Sequence, residues 1–370
     1  MVKNRKMALC ICICLVLGTL LPVFSLEKVN LQGGVQMGYA LGQNGAAWPS
    51  PLKDPISNNN RGGFYITQLR LHGVIPFDST FFGVFTGNFI FMDPQEAYLE
   101  KRWDTYSLKA GKFRGAGLKS GSGTDEFQRL TVNTNRYARF ADFYERTIGF
   151  RDFGIQVERN NPRKTIQQKL FIHNANRQNV LIDEPSFNNG PVTQVLGIDY
   201  ALDWRVSPFT VFGGHVGALA NRSWDEFLGS HKPYEVGYWL KSNAIVDASI
   251  YQQMDFTKLH LQNEALILLN REQPSPIDST ANQLWGMSSQ IRVDHSAQWS
   301  SFFHYEFFDP SNGLFGEDNL QMLTLGGIFH PSPNQYPGMK FTGEYVRSLE
   351  EGAKNTIPND LLYIQLQMMF

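Results

Sequence analysis

The chain has 370 residues, with 33 Lys and Arg against 34 Asp and Glu and only three cysteines. That near-neutral balance argues against a nucleic-acid binder, which is usually basic. Phe, Trp and Tyr make up 13% of the residues although the mean hydropathy is slightly polar at −0.28.

The first segment differs from the rest. Lys3, Arg5 and Lys6 precede an apolar run from Met7 to about Leu21, and Pro22-Val23-Phe24-Ser25 follows. Basic, then apolar, then small is the order of a secretory signal. It predicts a cut after Ser25, with Val23 at the minus-three position, so that 1–25 is a cleaved signal peptide and 26–370 one mature domain. The run is short for an anchor, which needs about 20 apolar residues. A lipoprotein signal would place a small residue before its cysteine, whereas Leu9, Ile11 and Ile13 precede Cys10, Cys12 and Cys14. These are the only cysteines, so the mature chain has no disulfide and no thiolate metal site. Loss of three bases leaves 30 against 34 acids, about −4. No later apolar run is long enough for a transmembrane helix.

From there on, segments alternate with a period of two. Between Phe64 and Val74, Tyr65, Leu69 and Leu71 stand against Gln68, Arg70 and His72. Between Thr165 and Ala175, Ile166, Leu170 and Ile172 oppose Gln167, Lys169 and His173. Trp285, Met287, Ile291 and Val293 oppose Ser288, Gln290 and Arg292. Trp299, Phe303, Tyr305 and Phe307 oppose His304 and Glu306. Alternation of this kind places one face in lipid and the other in water. An aromatic-rich but polar chain fits the same scheme, because aromatics collect at the two membrane interfaces.

The connections alternate in length. Short turns are predicted near 75–79, 102–105, 160–164, 205–208, 253–257, 294–297 and 331–337. Polar or Gly/Pro-rich loops are predicted near 41–62, 92–95, 114–147, 176–190, 221–233, 270–281, 308–319 and 349–360. Pro233 to Gln253 reads as one tilted strand. The count predicts an all-β fold: a transmembrane antiparallel β-barrel of about 16 strands with both termini on the short-turn side. The chain ends on an alternating segment whose apolar positions are Leu362, Ile364, Leu366, Met368 and Phe370. A terminal strand ending on Phe resembles the signature by which barrel assembly machinery recognises its substrates.

The longest loop, 114–147, is the third of the series. It is bounded by Leu108-Lys109-Ala110-Gly111-Lys112-Phe113-Arg114, preceded by Glu96-Ala97-Tyr98-Leu99, and by Arg151-Asp152-Phe153-Gly154. Over about 95–158 these motifs resemble the phosphate-selective porin O/P family. The resemblance implies a porin whose third loop folds inward and narrows a passive channel for small hydrophilic solutes. It also implies a homotrimer in the outer membrane, among lipid and lipopolysaccharide, with no cofactor or metal. Gly115-Ala116 stands where that family often has a proline, and no run of bases along other strands marks a phosphate path.

A loop that narrows a wide barrel sets ion preference through its charge. From Lys112 to Thr147 there are seven bases, Lys112, Arg114, Lys119, Arg129, Arg136, Arg139 and Arg146, against four acids, Asp125, Glu126, Asp142 and Glu145. This local excess points to mild anion preference. It makes Lys112, Arg114, Lys119, Arg129, Arg136 and Arg139 the candidate constriction. Other readings of these bases are pairing with Asp142 and Glu145, or contact with lipopolysaccharide phosphates.

Catalytic residues are not expected. There is no Gly-x-Ser-x-Gly elbow, and the eight histidines show no metal spacing. Asp294-His295-Ser296 is the only contiguous trio of triad residue types. Two alternatives stay open on sequence: a binding or adhesion barrel acting through its external loops, and a solute-specific channel with aromatics such as Phe171 or Trp239 turned inward.

Overall fold

The structure, a computed structural model, describes residues 29–42, 61–90, 93–115, 151–173, 195–221, 244–271, 282–309, 320–331, 338–350 and 360–370. Strands β1 (Asn30–Gly42), β2 (Arg61–Pro76), β3 (Phe81–Asn88), β4 (Asp93–Arg102) and β5 (Tyr106–Arg114) precede the longest loop. After it come β6 (Arg151–Asn160), β7 (Ile166–His173), β8 (Val195–Ser207), β9 (Thr210–Asn221) and β10 (Ala244–Asp255). The last six are β11 (Leu259–Arg271), β12 (Asn282–Asp294), β13 (Trp299–Asp309), β14 (Leu320–Phe329), β15 (Lys340–Glu350) and β16 (Leu361–Met369). Each strand pairs antiparallel with its neighbours in sequence, and β1 pairs with β16. The sheet is therefore a closed barrel of sixteen strands with no free edge, the form that satisfies every strand's backbone in lipid.

Side-chain alternation explains the closure. On β8, Ile198, Tyr200, Leu202 and Trp204 are exposed on the outside while Gly197 and Asp199 are buried inside. On β16, Leu362 and Ile364 face out, and Tyr363, Gln365 and Gln367 are buried on the lumen side. The alternation predicted for β7, β12 and β13 holds in the same sense: Ile166, Leu170, Ile172, Trp285, Met287, Ile291, Val293, Trp299 and Phe303 are exposed.

β2 is the exception. Gln36 pairs with Gln68 and Met37 with Ile66, so Thr67 is an extra residue, a β-bulge. The period of two breaks there. The outer row runs Phe64, Ile66 and then Leu69, with Phe64 90% exposed, instead of the unbroken Tyr65–Leu69–Leu71 row expected from the sequence.

Six of the seven predicted short turns fall, in the described residues, where turn chemistry placed them; 332–337 of the seventh lie outside the described residues. Asn161 accepts hydrogen bonds from the Thr165 and Ile166 amides at 2.7 and 3.0 Å. Asp78 accepts from the Thr80 amide (2.6 Å), the Thr80 hydroxyl (2.8 Å) and Lys101 (3.3 Å). These bonds, the Thr80 amide first, hold its carboxyl down at about 2. Rings gather at this end of the barrel: Phe77 on Phe81, Phe209 on Phe256, and Trp299, Phe329 and Phe341 in sequence across three strands. They form one aromatic belt at a membrane interface. The strand expected over Pro233–Gln253 is described from Ala244; its earlier part lies outside the described residues, as do the signal segment and the loop 116–150.

The termini meet at the seam. Gly33 N donates to Phe370 O at 2.6 Å and Phe370 N donates to Gly33 O at 2.9 Å. The Phe370 ring lies over Gly33, where a Cβ would stand 2.3 Å from it.

Gly111, in the Gly-Lys-Phe segment that carries the family resemblance, is a second position that demands glycine. Its φ is +134°, and a Cβ there would stand 2.3 Å from the Ala97 carbonyl oxygen. Gly111→Ala is expected to cost more than about 1 kcal/mol, read from the urea midpoint of the refolded barrel; an unchanged midpoint would show that β4 and β5 can part without loss.

Candidate functional site

The lumen wall carries the chemistry. From β4 to β7 it is aromatic: Tyr98 meets Phe113 at 5.5 Å between ring centroids, Phe113 meets Phe171 at 5.0 Å, and Phe171 stacks on the His173 imidazole at 4.4 Å and 9°. At His173 the wall becomes ionic. Asp152 Oδ2 lies 2.8 Å from His173 Nδ1, and His173 Nε2 lies 3.0 Å from Asp199 Oδ2. Asp199 Oδ1 lies 3.4 Å from His215 Nε2, and His215 Nδ1 lies 3.1 Å from Asp247 Oδ2. Five neighbouring strands, β6 to β10, thus contribute one group each to a carboxylate–imidazole row. No side chain in it is more than 5% exposed.

Strand register explains the row. Small residues stand directly opposite its members: Gly154 and Gly197 opposite His173, Gly217 opposite both Asp199 and Asp247, and Ala201 and Ser249 opposite His215. Each contact runs diagonally, to a position two residues away, within reach of long side chains. Gly217 matters most, because a Cβ there would lie 2.4 Å from Asp247 Oδ1 and 2.6 Å from Asp199 Oδ1.

The rest of the lumen wall is also polar. Ser288 Oγ and His304 Nε2 are 3.0 Å apart, and His304 Nε2 is 3.7 Å from Glu306 Oε1. Ser288 is in register with Glu264 on one side and Glu306 on the other. Thr86 links His72 (2.8 Å) and Glu96 (3.2 Å), Gln36 donates to Gln367 at 3.0 Å, and Tyr251 donates to Asp203. Buried carboxylates dominate: Glu100, Asp152, Asp199, Asp247, Glu264, Glu306 and Glu344 all face the lumen. Charges withdrawn from water persist where partners and hydrogen bonds replace it.

Of the six candidate constriction bases, two lie in the described residues. Lys112 is in register with Ala97 and Phe153, both exposed on the outside, and Arg114 is in register with Arg151. By alternation both belong to the row of Leu108 and Ala110, although Lys112 is only 9% exposed; Phe113 occupies the lumen row between them. Lys119, Arg129, Arg136 and Arg139 lie outside the described residues. So does Trp239. Phe171, the other aromatic considered for a sugar surface, is 2% exposed and packs within the wall between Phe113 and His173.

The trio Asp294-His295-Ser296 is not brought together. Asp294 is met by His260 at 2.9 Å and by Arg292 at 3.0 Å, His295 contacts Ser301 at 2.8 Å, and Ser296 accepts from the Trp299 amide. Among the described residues, no group of three or more His, Cys, Asp or Glu is arranged to hold a metal ion.

Sequence inspection did not find the ionic row, because its members lie 16 to 32 residues apart (from Asp152 to His173, Asp199, His215 and Asp247). The available signal was parity: each lies on the inward row of a strand whose turn was already located.

No protein-family model and no curated protein sequence matches this chain. Solved structures do. The outer-membrane channel DcaP of Acinetobacter baumannii is similar with a TM-score of 0.62 at 10% identity, covering 94% of this chain and 99% of that one. OmpT of Vibrio cholerae is similar with a TM-score of 0.60 at 8% identity, covering 92% and 97%. Salmonella typhi OmpF, solved with daunomycin, has a TM-score of 0.60 at 10% identity, also covering 92% and 97%. Across nearly its whole length, the chain has the fold of these outer-membrane barrels.

Proposed function

We propose that this chain is an outer-membrane porin, a water-filled channel through which small hydrophilic solutes diffuse passively. The observation that carries this is the closed sixteen-strand barrel, apolar outside and densely polar inside. A barrel of this size leaves an aqueous passage unless a loop fills it. In this reading residues 1–25 export the chain, the C-terminal strand engages the assembly machinery, and three copies associate among lipid and lipopolysaccharide. The motifs over 95–158 favour a relationship to the phosphate-selective porins.

Ion preference is proposed to be small. Beyond β5, Lys119, Arg129, Arg136, Arg139 and Arg146 outnumber the four acids of the loop by one. That leaves a slight anion bias at a constriction bordered by an acidic wall. The test is conductance of the refolded mature chain in a planar bilayer under a salt gradient. Stepwise channels with a weakly anionic reversal potential, moved toward cations by Arg136→Glu with Arg139→Glu, are expected. Cation selectivity in the unaltered protein would overturn the assignment of these bases to the constriction. A folded barrel without channels would overturn the porin reading in favour of binding or adhesion through the loops.

A further inference from the structure

The ionic row has a property beyond polarity. A carboxylate oxygen stands within 3.4 Å of both ring nitrogens of His173 and of His215. A neutral imidazole has one N–H and one lone pair, whereas the doubly protonated ring has two N–H groups. Only the doubly protonated ring presents a proton to both of its neighbours; a neutral ring turns a lone pair toward a carboxylate. The row is also sealed at its ends. Phe113 is in register with Asp152 and Leu268 with Asp247, and both are fully buried.

We propose that the row Asp152–His173–Asp199–His215–Asp247 is a proton-operated clasp that holds the lumen face of β6–β10 together while both rings carry two protons, and loosens when alkali removes them. This rests on the barrel and not on the channel reading. With both rings protonated the row holds three negative and two positive charges in alternation. With both neutral it holds three negative charges and none positive. Strong acid neutralises the carboxylates instead, so the clasp is firmest between those limits. Gly217 makes it tight, since the two carboxylates that flank His215 fill the space a Cβ would take. Toward the turns, the next lumen-facing titratable groups are Lys109 on β5, Glu158 on β6, Lys169 on β7, Asp203 on β8, Tyr251 on β10 and Glu264 on β11. At the level of the row itself β5 presents Phe113, and on β9 the next lumen position toward the turn is Gly213.

The experiment follows the thermal midpoint of the refolded mature chain, by heat-modified gel mobility, from about pH 5 to about pH 10, a range that spans carboxyl, imidazole and phenol titration. Bilayer conductance is recorded in parallel. A midpoint that falls by several degrees on the alkaline side is expected. In Asp199→Asn the amide turns its NH2 to one Nε2 and its oxygen to the other, so one of the two rings no longer needs a second proton and the alkaline fall should shrink by about half. The fully neutral row (Asp152→Asn, His173→Gln, Asp199→Asn, His215→Gln and Asp247→Asn together) is measured beside it, and there the alkaline fall should disappear. A wild-type midpoint flat above neutral pH overturns the clasp. So does either variant keeping the alkaline fall in full, which would place the titration in Lys109, Lys169, Asp203–Tyr251 or the glutamates. An alkaline fall without any conductance would leave the clasp standing and remove the porin reading.

Discussion

Asp199→Ala is expected to destabilise the barrel by about 3–5 kcal/mol, the cost of removing one partner from a buried ion pair. Asp199 is the centre of the row, with His173 at 3.0 Å and His215 at 3.4 Å. Its loss leaves two imidazoles facing each other across an emptied, buried space, and the carboxylate that separated their charges is gone. The loss belongs to the row and not to the side chain's volume. A cycle with His215→Ala should therefore return a coupling above about 0.5 kcal/mol, as expected for residues in one network. Urea unfolding of the refolded protein measures both quantities. A cost below about 1 kcal/mol, within the range of exposed pairs, would show that water reaches the row and that its burial has little energetic weight.

Much of the fold was legible in the sequence because two local signals agreed. Period-two alternation marked the strands, and residues such as Asn161 and Asp78 marked the turns by bonding the amides that follow them. The bulge at Thr67 was not legible, since an extra residue changes the phase of the apolar pattern without changing its composition. At the candidate site Lys112 is in register with Ala97 and Phe153 yet only 9% exposed, next to the positive φ of Gly111, and the bases beyond Arg114 lie outside the described residues. The carboxylate–imidazole row required register across four hairpins and loops at once. Its contacts are diagonal, so even direct pairing would have matched His173 with glycines and His215 with alanine and serine. Small residues opposite large polar ones are the trace such a row leaves in a sequence, visible only once the pairing is known.

The second large effect is expected at the seam. Phe370 is 79% exposed, so its apolar burial contributes little; its place depends on the two backbone bonds with Gly33 and on the absence of a side chain beneath its ring. Deleting Phe370 removes both bonds, worth about 1 kcal/mol each. Gly33→Val keeps the terminal sequence intact but forces the ring away, with an overpacking cost of about 1–3 kcal/mol. The pair separates two roles for the last residue. If Phe370 chiefly closes the barrel, both changes should lower the urea midpoint of protein refolded in detergent, and by similar amounts. If it chiefly serves recognition by the assembly machinery, the deletion should sharply reduce folded protein in the cell envelope, while Gly33→Val reduces it little. The geometry favours a contribution to closure in addition to any recognition, because β1 and β16 make the one strand pairing that joins the two ends of the chain. A deletion that leaves the refolded midpoint unchanged would show that the seam is held by the remainder of the β1–β16 ladder.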